Sequence, residues 1–168
     1  GIISYYNFDN DQNDQLGINN GTNNGATQTT GKNNNSYYFD GTNYINLGTS
    51  TTNFQTIFVD SNTEFTFSAW INPLTLSSSA SNHDIENVIF SEASDSYNDN
   101  LEIGVNDDGR LSIYIDDDTT ATDTYHLGSG ITTNEWQHVL VSFSAKDDIL
   151  RVFIDGTEDN TTNSWDAF

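Results

Sequence analysis

The chain has 168 residues, with 25 acidic side chains against 4 basic ones, a formal charge of −21, no cysteine and one proline. Those counts exclude disulfides, thiolate metal sites and thiol catalysis. They also leave almost nothing to neutralise the phosphates of nucleic acid or an anionic membrane. No apolar run approaches the length that spans a bilayer, and no signal peptide is evident. The opening Gly1 is what an excerpt or a processed product would show. Two uses of the surplus acid are open: tolerance of salty water, where screening relieves self-repulsion, and chelation of Ca²⁺. Ten Phe, eight Tyr and three Trp argue against disorder, whose composition is poor in aromatics.

In chain order, Ile2–Phe8 reads as a first strand. The polar stretch from Asp9 to Lys32 follows, with turn dipeptides Asn20-Gly21 and Asn24-Gly25. It is too long for an ordinary connection and predicts one short strand or an ordered loop. Tyr37–Phe39 and Tyr44–Leu47 read as short strands in a hairpin-like arrangement around Asp40-Gly41-Thr42-Asn43. Phe65, Phe67, Ala69 and Ile71 then alternate with Thr66, Ser68, Trp70 and Asn72 before Pro73. That is a strand with one face in a core, and Trp70 on the other face predicts cover on both sides, hence a central position.

Beyond it, 87–92, 101–106 and 111–115 read as strands, with a tight turn at Asp107-Asp108-Gly109. Residues 116–124 read as an acidic, Thr-rich edge or loop, and His126 is expected in a loop. Glu135–Ser144 and Ile149–Asp155 are strong alternating strands. No stretch shows helical periodicity. Frequent turns between about ten antiparallel strands predict a β-sandwich or barrel.

Four strings carry a resemblance: Tyr38-Phe39-Asp40-Gly41-Thr42-Asn43-Tyr44-Ile45-Asn46-Leu47; Phe65 to Pro73; Trp136 to Phe143; and Leu150-Arg151-Val152-Phe153-Ile154-Asp155-Gly156. In that order and spacing they resemble the laminin-G-like domains of the concanavalin A-like lectin and glucanase superfamily. The resemblance implies an all-β jelly-roll sandwich of two antiparallel sheets spanning 1–168. It also implies a non-enzymatic recognition or adhesion module of an extracellular, cell-surface or virion protein. Members normally finish with a further strand pair carrying a Gly-x-Ile-Asp-like segment. Its absence here implies a fragment missing its last strands, or another chain that fills the gap.

The candidate sites follow from residue type and from the resemblance. Asp9-Asn10-Asp11-Gln12-Asn13-Asp14 opens like a calcium loop, but Asp14 and Asn20 stand where an EF-hand needs Gly and Glu. The resemblance implies a structural Ca²⁺ held by Asp9 and the Gly41 carbonyl, with Asp11 in the same acidic segment. Asp95 and Asp99, with Asn98, Asn100 and Glu102, form a second cluster; Asp116-Asp117-Asp118 with Asp123 forms a third. Both could hold a cation at a sandwich rim or remain solvated. Tyr97, Asn98, Tyr125, His126 and Trp70 are candidates to bind a glycan, aromatic rings taking the C–H face of a pyranose and amide oxygens its hydroxyls. For Trp70 and Trp136 the competing reading is a core tryptophan, and His138 reads as packed. The paired carboxylates of glycoside hydrolysis are missing, Asp84-Ile85-Glu86 lacking its partner, so no enzyme is expected. The expected partners are a glycan, a protein surface or neighbouring chains of an assembly with no small ligand.

Overall fold

A strand whose alternate residues are apolar can bury only one face, so such strands fold by pairing sheets face to face. The protein does this in its larger part. The structure is a computed structural model that describes residues 1–48, 64–78, 87–92, 101–116, 122–144, 146–147 and 149–159, with backbone alone at 115, 116 and 122–129. Twelve strands and no helix lie among the described residues. The chain divides into two compact units, Gly1–Thr56 and Ile57–Phe168.

The second unit holds β5 (Glu64–Ile71), β6 (Asn87–Glu92), β7 (Leu101–Val105), β8 (Arg110–Asp116), β9 (Thr122–Ser129), β10 (Gln137–Ser144), β11 (Ile149–Ile154) and β12 (Thr157–Asp159). They form two antiparallel four-stranded sheets, ordered β12-β11-β10-β5 and β6-β7-β8-β9. Leu101, Ile103, Val105, Leu111 and Ile113 of one sheet and Val139, Val141, Phe143 and Val152 of the other make one buried cluster. Phe65, Phe67, Ala69 and Ile71 pack against it, the Phe67 ring 5.4 Å from that of Phe90. Buried Gln137 fastens the start of β10, accepting from Thr132 N and donating to the Gly130 carbonyl, each at 2.6 Å.

Two expectations change here. Among the described strands β5 lies at the edge of its sheet, not its centre, and Trp70 on its outer face is 46% exposed rather than covered. Thr122–Ser129 is a strand paired to β8, so His126 is not in a loop. Asp155-Gly156, with φ of 49° and 77°, ends β11 and turns the chain back into β12. Two consecutive positive φ values are the geometry of a two-residue hairpin turn that follows strand twist. The predicted turn at Gly109 is present, closed by Gly109 N to the Asn106 carbonyl at 3.1 Å.

The first unit has β1 (Thr22–Asn24), β2 (Thr27–Thr30), β3 (Asn35–Tyr38) and β4 (Tyr44–Asn46). β2 pairs with β3 and β1 with β4. They are the two arms of one interrupted hairpin. Tyr37–Phe39 and Tyr44–Leu47 therefore do not pair with each other, and Asp40–Asn43 is an excursion within one arm. Ile2–Phe8 is not a strand. One of its N–H groups goes to a side chain instead: buried Asp14, 4% exposed, accepts from Tyr5 N (2.9 Å) and Leu16 N (3.0 Å) on Oδ1, and from Ile18 N (3.3 Å) and Asn19 N (3.1 Å) on Oδ2. Burial pushes the Asp14 carboxyl pKa up, but the four N–H donors outweigh it and hold it below the ordinary carboxylate value. Beside it the Tyr6 hydroxyl donates to the Asn19 carbonyl at 2.6 Å.

Candidate functional site

A residue pairing directly across an antiparallel ladder shares a face with its partner. The β10 register therefore assigns the outer face of the β12-β11-β10-β5 sheet row by row. Trp70 stands opposite His138; Ser68, Leu140, Phe153 and Glu158 form the next row, and Thr66, Ser142 and Arg151 the third. The result is a sheet face with a diagonal, largely apolar stripe through Trp70, His138, Leu140 and Phe153 and hydroxyls along one flank.

The ring of His138 lies 5.3 Å from that of Trp70 at 58°. Its Nε2 is hydrogen-bonded to Ser68 Oγ at 2.8 Å. At the same end, Asp155 Oδ1 accepts from the His138 backbone N at 2.9 Å. His138 is thus half-buried on the outer face, where the sequence reading packed it with the core; its parity matches Leu140 and Ser142, not Val139 and Val141. Trp136 is half-buried just before β10.

Arg151 closes the far end of the stripe. Its Nε and one terminal nitrogen donate to the two Glu158 oxygens at 2.7 and 2.8 Å, and its Cζ sits 5.1 Å from the centre of the Phe153 ring. The bonds from Arg151 pull the Glu158 carboxyl below its ordinary value and raise the guanidinium in turn. Carboxylate and arginine thus share a two-point contact, with the guanidinium over an aromatic ring.

Of the other predicted site residues, the structure describes some individually. Asp9 is held against the tip of the β2–β3 hairpin, its Oδ2 accepting from Asn34 Nδ2 at 3.2 Å and its carbonyl from Asn35 Nδ2 at 2.7 Å. Gly41 lies beyond the opposite end of β3, a four-residue strand that spans about 10 Å. Asp11 turns inward on its own backbone, accepting from Asn13 N at 2.9 Å. Among the described residues no three His, Asp or Glu side chains are grouped to hold a metal. Asp95, Tyr97, Asn98 and Asp99 lie outside the described residues. Tyr125 and His126 pair in register with Ile113 and Ser112 on β9 and β8, in the other sheet from Trp70.

A laminin G family model, described as the concanavalin A-like lectin/glucanases superfamily, matches residues 39–167. That span contains the whole platform. No curated protein and no solved structure matches the chain. Laminin G-like domains are generally non-enzymatic binding domains and typically extracellular. No helix among the described residues is long and apolar enough to cross a membrane. With a paired-sheet core, an all-β strand order and a match over most of its length, the chain belongs to the laminin G-like group of the concanavalin A-like lectin/glucanase superfamily.

Proposed function

We propose that the protein is a non-catalytic, extracellular carbohydrate-recognition module whose ligand lies on the outer face of the β12-β11-β10-β5 sheet. The observation that carries this reading is Trp70, 46% exposed and set beside His138 at the head of an apolar stripe. An indole held on a strand loses little freedom when a sugar stacks on it, and Ser68, Thr66 and Ser142 supply hydroxyls within one row of the stripe. A half-polar face suits a sugar ring better than a core-like protein contact. Calcium belongs to this reading as a rim ion at Asp95 and Asp99 or as a structural ion at Asp9 and the Gly41 carbonyl.

A second reading, a module that docks to neighbouring chains, is favoured by the exposure of Ile2, Ile3, Tyr5, Leu16 and Ile18 in the first unit. A glycan array probed with the wild type and with Trp70→Ala, in Ca²⁺ and again in chelator, tests the proposal. We expect the wild type to retain glycans and Trp70→Ala to lose them. A folded wild type that retains none would contradict the carbohydrate reading and favour docking. Retention lost in chelator would assign the ion a role in binding.

A further inference from the structure

The platform's charges point to which glycans it takes, an inference that rests on the carbohydrate reading above. Arg151 is the one cation on the described rows of this face, and both carboxylate oxygens of Glu158 are already matched to it. The remaining charges there are Glu64, opposite Ser144 in register, and Asp155, whose Oδ1 accepts from His138 N. An acidic sugar would need a guanidinium fork to receive its carboxylate. It would find the Nε edge of that guanidinium bonded to Glu158 and its charge neutralised, on a protein of net charge −21.

A neutral glycan meets no such obstacle. The stripe also runs diagonally across three strands, from Trp70 on β5 through His138 and Leu140 on β10 to Phe153 on β11. With strands about 4.8 Å apart, that path is longer than a single pyranose. We infer that the platform takes a neutral glycan chain several sugars long and that Glu158 is the specificity residue, excluding acidic glycans by occupying Arg151.

The test uses neutral hexasaccharides (β-glucan, xylan, mannan and galactan) arrayed beside hexasaccharides of uronic acids. They are probed with the wild type, Glu158→Gln and the double variant Arg151→Gln/Glu158→Gln, each first shown to unfold at the wild-type temperature. The wild type should retain neutral chains and not acidic ones. Glu158→Gln should keep the neutral signal and gain about tenfold on the acidic chains, as one freed charge-assisted contact would give; the double variant should lose that gain. Neutral monosaccharides should bind more weakly than the chains. Retention of acidic chains by the wild type, or no acidic gain in Glu158→Gln, would overturn the role of Glu158 while leaving the platform standing. Failure of the wild type to retain any glycan would overturn the platform and this inference with it.

Discussion

The two units of this protein are held by different physics. In the second, nine apolar side chains from two sheets, with Ile131 from the connection before β10, form one buried cluster, several with no exposed surface. Among the described residues of the first, Ala26 is the one buried hydrophobic side chain, and the buried polar side chains are Asp14 and Asn19. What organises the first unit is a carboxylate that replaces water for four backbone N–H groups at once. A hydrophobic core is non-directional and tolerates shape change at graded cost, whereas a single hydrogen-bonding hub fails when that one residue is lost. The difference teaches that an acidic chain can use one buried charge as structure while leaving the rest to solvent.

The comparison can be broken from either side. Ile113→Ala, at a site with no exposed surface, should cost the second unit about 2–5 kcal/mol, read as a lowered denaturant midpoint and faster hydrogen exchange in β7, β8 and β10. Asp14→Ala should cost about 2–4 kcal/mol by leaving its N–H partners unsatisfied. The loss of protection should centre on Tyr5, Leu16, Ile18 and Asn19 and spare β10. Equal loss in both units would contradict the division.

Acid should sharpen the same contrast with a smaller effect. Because the folded Asp14 carboxyl lies below its ordinary value of 3.8, the unfolded chain binds more protons in that window. The Asp14 contribution is therefore complete above that value and declines as pH falls through the depressed folded value. Protection of the four amides should drop over that range in the wild type, and Asp14→Asn should abolish the pH dependence. Arg151→Gln, at an exposed ion pair, should leave thermal unfolding nearly unchanged.

The sandwich was legible because its strands obey period two: Phe65 to Ile71 and Val139 to Phe143 bury the residues that alternation assigns to the core. What alternation could not supply was sheet order. Trp70 suggested a strand covered on both sides, yet the same indole stands open on an edge strand. For His138 the signal was present in the sequence, since it shares parity with Leu140 and Ser142, but an imidazole fits core and surface alike. Asp14 was read only as a failed calcium position. The run Asp14-Gln15-Leu16-Gly17, with Gly17 N bonded to the Asp14 carbonyl at 2.8 Å, is a turn signature that could have marked it as a backbone acceptor. The β1–β4 and β2–β3 pairing was hidden because Asn, Thr and Gln strands carry almost no hydrophobic pattern.

The measurement that bears most directly on the recognition face is amide and indole chemical-shift mapping while the best-retained neutral hexasaccharide is titrated into the wild type. The account predicts that the shifts centre on the Trp70 indole, His138, Leu140 and Phe153 and that they vanish in Trp70→Ala. Shifts centred on Asp95 to Asp99, on β9 or in the first unit, with the Trp70 indole unmoved, would contradict it.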